Sequence, residues 1–293
     1  MKKILFLFVV MTVLLTGCGA DKTVVKQDKL QVAASFYPVA EFVRAVGGDK
    51  VAVQTMIGDG IEPHDWEPTA QDLKKLSQAK ILFYNGGVEP WATAALEAVK
   101  ASKVVGAELG AGLYTIGGAK DPHVWLSPKK AVLEVEVVKK ALINADQANA
   151  AVYEANAKAY QQKLSELDAR LQAVAGKAKQ KAFVTTHAAF GHLAADYGLE
   201  QLPIMGISPD AEPTPADLNN LVKAIGSKKI EYVFFETLVS PRVAQTVAET
   251  AKVKTLVLDP IEGLNEQGRA AKDTYLSVMS RNIDNLEKAL NGK

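Results

Sequence analysis

The chain is short of the residues that most often hold exported proteins together or bind metals. It has a single cysteine, Cys18, among 293 residues. An intramolecular disulfide framework and a cysteine-based metal site are therefore both excluded, and the fold must stand on its core. Histidine is equally scarce, with four in the whole chain, and aromatic residues make up only 7%. Neither charge sign is in excess, with 34 basic and 33 acidic residues, and no basic stripe stands out. That balance argues against a nucleic-acid partner. The metallopeptidase pattern His-Glu-X-X-His is also missing.

The N-terminus carries a location signal. Lys2 and Lys3 precede an almost wholly apolar run from Ile4 to Leu15, followed by Leu15-Thr16-Gly17-Cys18. The run is too short for a stable membrane span and reads as an export signal. Small residues before a cysteine at this place resemble a bacterial lipobox. The resemblance implies cleavage after Gly17, lipid attachment at Cys18, and a body held outside the cytoplasmic membrane by acyl chains. The expected organisation is a signal peptide over 1–17, a polar tether over 18–29, an N-terminal lobe over 30–146, a connecting helix over 147–175 and a C-terminal lobe over 176–293. Loss of Lys2 and Lys3 leaves the mature charge close to neutral.

Along the body, strand and helix patterns alternate. Strands are predicted at 31–36, 51–57, 81–84 and 104–105, with helices at 38–46, 70–79 and 91–99 between them. Helices follow over 128–143 and 147–174, the latter marked on one side by Val152, Tyr160, Leu164, Leu167 and Leu171. The alternation then restarts, with strands at 181–186, 202–207, 230–235 and 254–258, helices between them, and a last helix over 267–290. This rhythm predicts an α/β fold: two Rossmann-like lobes, each a mostly parallel sheet flanked by helices, joined by a long rigid helix. Ligands in such folds sit beyond the carboxyl ends of strands or between domains. His187, Glu236 and Asp259 all fall at predicted strand ends.

Two of the four histidines share a phrase. Glu62-Pro63-His64-Asp65-Trp66 and Asp121-Pro122-His123-Val124-Trp125 both read acid-Pro-His-X-Trp. Proline stiffens each approach, and neutral imidazole is a good metal ligand. His187 and His192 lie five apart, not the three or four that put helical residues on one face. His187, at the strand end, is the better ligand candidate, and His192 is expected on the surface or in packing. Asp259 before Pro260 can close a turn or supply a carboxylate ligand. Glu236 can ligate directly or hold a histidine ring, and the second role is preferred. Three imidazoles and one carboxylate suit tetrahedral zinc, whereas manganese usually takes more oxygen.

The stretches Ala34-Ser-Phe-Tyr-Pro38, Gly60-Ile-Glu-Pro-His-Asp-Trp-Glu-Pro68, Asp121-Pro-His-Val-Trp-Leu-Ser-Pro128, Thr186-His-Ala-Ala-Phe-Gly191, Phe235-Glu236 and Leu258-Asp-Pro260 resemble the substrate-binding lipoproteins of zinc/manganese ABC importers. The resemblance implies a metal in the cleft between two lobes, with ligand positions falling on His64, His123, His187 and Asp259. The third position is histidine in zinc-type members and typically glutamate in manganese-type members, so His187 favours Zn2+ as the transported ligand, with Mn2+ or Fe2+ as the alternative. The implied partners are a membrane permease, the divalent ion and the membrane through the lipid anchor, and the chain is expected to be a monomer without enzymatic activity. Two features depart from many zinc-type relatives. The segment Gly106–Lys120 is short and lacks histidine, and there is no cysteine pair. His192 stands where many relatives have an aromatic residue and is not carried over as a ligand. The competing classes are an exported zinc metalloenzyme, which needs an open metal position and a free base, and an adhesin, for which His64 and His123 would be dispensable.

Overall fold

The computed structural model describes residues 29–209 and 213–292. The leader, Cys18 and the tether up to Asp28 lie outside the described residues. The first lobe is built on β1 (Leu30–Ala34), α1 (Tyr37–Gly47), β2 (Val51–Thr55), α2 (Ala70–Leu76), β3 (Ile81–Tyr84), α3 (Ala92–Ala98) and β4 (Val105–Glu108). A small hairpin, β5 (Thr115–Ile116) and β6 (Ala119–Lys120), leads to α4 (Pro128–Ala145), and α5 (Ala150–Gly176) crosses to the second lobe. There the order is β7 (Ala182–Thr185), α6 (Gly191–Tyr197), β8 (Glu200–Pro203), α7 (Pro215–Lys228), β9 (Tyr232–Phe235), α8 (Arg242–Ala251), β10 (Lys254–Val257), α9 (Glu266–Ala270) and α10 (Tyr275–Asn291).

Both four-stranded sheets are wholly parallel, as the alternation of strands and helices requires. Their orders are β2-β1-β3-β4 and β10-β9-β7-β8. Read from its own first strand, the second sheet repeats the order of the first. In each sheet the order reverses beside the first strand, between β1 and β3 and between β7 and β9, which is where such folds place ligands.

Local chemistry explains the helix starts. Thr69, Thr214 and Thr274 each accept a backbone N–H from the third residue of the helix that follows, and that residue returns a bond to the cap. Pro38, Pro128 and Pro215 occupy first-turn positions that need no N–H.

The strand expected at 202–207 lies at Glu200–Pro203, and two further segments depart more fully from the sequence expectation. The predicted last helix is two helices, because Lys272 turns into the left-handed region at φ 56° and Thr274 then caps a new start. The segment before His123 forms the β5–β6 hairpin, which is too short to leave a periodic signature.

The expected connector does more than connect. One face of α5 buries Tyr153, Ala157, Leu164, Leu167, Leu171, Val174 and Ala175. These pack in one continuous apolar core with Phe42 and Leu142 of the first lobe and Tyr275, Ile283 and Leu286 of the second. Near its start the buried positions are Tyr153 and Ala157, while Val152 is only half-buried. A smaller core, including Val184, Ile225, Val233 and Val247, covers the other face of the second sheet.

Leu164 and Leu171 are fully buried in the shared core. Leu164→Ala is therefore expected to cost about 2–5 kcal/mol through lost burial and a residual cavity. Chemical denaturation followed by tryptophan fluorescence, which reports the first lobe, and by far-UV circular dichroism, which reports both, should show one common shift in midpoint. Separate transitions would mean that the lobes do not share a core.

Candidate metal centre

Loops leaving the carboxyl ends of the strands bring four side chains together. His64 follows β2, His123 follows the hairpin, His187 follows β7 and Glu262 follows β10. One ligating atom from each lies within 4.8 Å of all the others. His64 Nε2 is 3.3 Å from His123 Nε2, and His123 Nε2 is 3.3 Å from His187 Nε2. Glu262 Oε1 stands 3.3 Å from His64 Nε2, 3.5 Å from His123 Nε2 and 3.7 Å from His187 Nε2. Neither carboxylate oxygen of Glu262 makes a hydrogen bond, although the residue is buried. Buried polar atoms normally have partners, so this orphaned carboxylate marks the centre of the group.

The acid of each repeated phrase has a local job. Glu62 Oε1 accepts the backbone N–H of His64 at 3.1 Å, and Asp121 Oδ1 accepts that of His123 at 2.9 Å. Acid, proline and histidine thus form one preset turn. Asp121 Oδ1 also takes His123 Nδ1 at 2.8 Å. In the second lobe, Glu236 reproduces the arrangement from a neighbouring strand, accepting His187 N at 2.9 Å and Nδ1 at 2.8 Å. With Nδ1–H donated outward to a carboxylate, each ring aims its Nε2 at the common centre.

The loop after β3 braces His123 from behind. Glu89, itself buried, accepts Asn85 N at 3.0 Å, Gly86 N at 2.9 Å and the Ser35 hydroxyl. Asn85 Nδ2 then donates to Pro122 O at 2.8 Å. Gly87 sits at φ 77°, and a Cβ there would lie 2.8 Å from Pro122 Cβ, so only glycine allows this approach.

The tryptophans serve packing. Trp66 meets Trp91 edge-on at 4.8 Å, and the Trp125 ring lies tilted against His123 while its Nε1 donates to Pro260 O at 2.8 Å, across the lobe boundary.

The structure brings together His64, His123 and His187, and sets Glu236 behind His187. It does not place Asp259 with them. Asp259 Oδ2 accepts the Thr237 hydroxyl at 2.7 Å, and its Oδ1 accepts Ile261 N at 2.7 Å. The carboxylate that joins the three histidines is Glu262, three residues on. The reason is local: Ile261 takes φ 57°, rare for a β-branched residue, and the chain turns so that Glu262 reaches the cleft. Asp259 clamps that turn. The sequence signal was present but ambiguous, since two carboxylates follow one strand and only the backbone turn decides between them.

Charge follows the geometry. Burial opposes protonation of His187, but the Glu236 carboxylate and then Glu262 override it and push the ring up to about 10. His123 is raised in the same way, with Asp121 and Glu262 outweighing burial. Burial opposes ionisation of Glu262, yet the three histidines hold it well below the usual carboxylate range. Burial first, and the Glu262 charge second, push Glu62 up to about 8.

The family described as zinc-uptake complex component A, periplasmic (ZnuA), matches residues 32–289. The chain belongs to this family. It is 35% identical to the high-affinity zinc uptake system protein ZnuA of Bacillus subtilis, covering 98% of this chain and 97% of that protein. The zinc-binding lipoprotein AdcA of Streptococcus pneumoniae is 38% identical over 98% of this chain, which spans 61% of AdcA's length. The crystal structure of the Zn(II)-bound ZnuA-like domain of that AdcA superimposes with a TM-score of 0.81 at 41% identity, covering 90% of this chain and all of that domain. The laminin-binding protein Lmb of Streptococcus agalactiae, described as having adhesin and metal-transporting activity, superimposes with a TM-score of 0.82 at 30% identity, covering 89% of this chain and 99% of that one. These likenesses bear out the two-lobed ZnuA-type fold.

In protein stripped of metal, His187 is expected to stay protonated through neutral pH and to lose its proton near pH 10. Glu236→Gln removes the first of the two carboxylates that hold the proton and should bring the titration down by a unit or more, about 1.4 kcal/mol or above. Imidazole nitrogen shifts measured by NMR against pH test this. An unchanged His187 titration in the variant would show that Glu236 does not set the ring's charge.

Proposed function

We propose that this chain is the extracytoplasmic substrate-binding component of a metal ABC importer, and that it captures Zn2+ between its lobes for delivery to a membrane permease. The observation that carries the reading is the spacing of the donors. Zinc bonds to imidazole nitrogen and carboxylate oxygen of about 2.0–2.2 Å give tetrahedral edges of about 3.3–3.6 Å. Five of the six separations among the donor atoms of His64, His123, His187 and Glu262 run from 3.3 to 3.7 Å, and all six lie within 4.8 Å. Three nitrogens and one carboxylate in a buried cage suit zinc better than manganese, which prefers a larger, oxygen-rich shell.

Family membership and relatives described as zinc-binding or zinc-uptake proteins support the same cargo and role. The lipobox-like sequence at Cys18, together with lipoprotein relatives, supports a lipid anchor and an extracytoplasmic location. We take the working unit to be a monomer that meets the permease. The reading is of capture without chemistry. Four protein donors close the shell and leave no position for an activated water.

Metal competition on the stripped mature protein tests the proposal. One zinc per chain is expected, held against excess manganese. Tight manganese binding that zinc fails to displace would overturn the cargo. His187→Glu should move relative preference toward manganese, and an unchanged preference would remove His187 from the ligand set.

The choice of Glu262 over Asp259 has its own test. Partners that only orient ligands typically control affinity by about 10–100-fold. Glu262→Gln should weaken zinc binding by more than that, and Asp259→Asn by less, as measured by chelator competition. The reverse ranking would return the ligand role to Asp259.

A further inference from the structure

His192 takes no part in the four-donor group, yet it is completely buried. It lies on α6 in the second lobe, and both ring nitrogens are engaged by the first. The Lys130 ammonium, on α4, stands 2.8 Å from His192 Nδ1. An ammonium can only donate, so Nδ1 accepts and the ring proton sits on Nε2. His192 Nε2, 2.8 Å from the Asp121 carbonyl oxygen, therefore donates to it.

Neighbouring contacts fasten the same two elements. Lys130 pairs with Asp196 at 3.0 Å, and the Ser127 hydroxyl donates to the same Asp196 oxygen at 2.5 Å. Lys129 Nζ donates to the Asp196 carbonyl at 3.1 Å. Gly191 is so close to the first lobe that a Cβ there would lie 2.4 Å from Asp121 Oδ2.

Asp121 is thus held from two sides. Its carboxylate takes the backbone N–H and Nδ1 of His123, while its backbone carbonyl is held by His192 from the opposite lobe. We infer that His192 is a positioning residue for metal capture: it fixes Asp121, and through it the His123 ring, and straps the second lobe to the first so that a bound ion leaves slowly. The inference rests on the zinc-capture reading above and adds to it a residue outside the ligand shell. An aromatic ring at position 192 would fill the same volume but could neither donate to Asp121 nor accept from Lys130. Burying the Asp121 carbonyl without a partner carries a penalty that corresponds to roughly a tenfold change in rate or equilibrium.

The test is zinc release from the full mature protein, measured by stopped-flow transfer to an excess of chelator. His192→Phe should still bind one zinc, with an association rate near that of the unchanged protein and a dissociation rate raised about tenfold. His192→Gln, whose amide can donate in place of Nε2–H, should recover most of the loss. Asp121→Asn and His192→Phe should combine non-additively, because they act along one route. Unchanged release from a folded His192→Phe protein would overturn the inference. So would an equal drop in melting temperature of metal-free and loaded forms without a change in release rate, which marks ordinary packing. Should His192→Phe fail to fold, Lys130→Met removes the strap from the other side, and unchanged release there counts equally against it. Failure of the unchanged protein to retain zinc would instead refute the capture reading itself.

Discussion

The structure depends on pairing imidazole with carboxylate. Asp121 and Glu236 each grip the Nδ1 edge of a histidine and the backbone N–H of the same residue, so ring and main chain are fixed together. With those edges occupied, the opposite nitrogens of His123 and His187 are forced to face one another at 3.3 Å. Without a proton or a cation between them, lone pairs so placed repel, and the site is therefore built to hold positive charge. Glu262 completes the demand by bringing a bare carboxylate into the same space. Burial strengthens each of these interactions, because little water is present to screen them.

The rest of the fold supplies the precision this needs. Parallel strands end on a common side, so loops distant in sequence meet without long excursions. Each loop carries its own brace: the Asn85–Pro122 bond and the Gly87 approach behind His123, the Asp259 clamp before Glu262, and the Trp125–Pro260 bond that ties the first-lobe phrase to the second-lobe turn. Several of these braces are themselves acidic. Glu62, Glu89, Asp121, Glu236 and Asp259 each accept at least one backbone N–H, whereas the Glu262 oxygens accept none and face ring nitrogens.

Much of this was legible in the amino-acid order. The strand-helix alternation implied two parallel sheets, because apolar runs of strand length bounded by Gly, Pro and capping Thr leave few other solutions. The paired acid-Pro-His phrases exposed His64 and His123, and the position of His187 after an apolar strand exposed the third. Glu236, expected to hold a histidine ring, lies against His187 Nδ1. Glu262 did not read as the fourth donor, because its placement depends on one backbone dihedral at Ile261, and no propensity favours a left-handed isoleucine. The contacts of His192 were hidden for a different reason: its partners, Asp121 and Lys130, are distant in sequence and belong to the other lobe. The hairpin at 115–120 escaped because two-residue strands carry no period.

The single apolar core shared by the lobes has a mechanical consequence. Swinging one lobe away from the other as a rigid plate would strip Leu164, Leu171 and Tyr275 of neighbours on one side. At roughly 25 cal/mol per Å2 of apolar surface, exposing even about 200 Å2 costs on the order of 5 kcal/mol, a large part of a typical domain's stability. The molecule therefore behaves less like a hinged clam than like a stiff frame with a soft rim. Any rearrangement at the donor group therefore falls to the loops at the strand ends, where displacing a few residues costs less than parting the shared core.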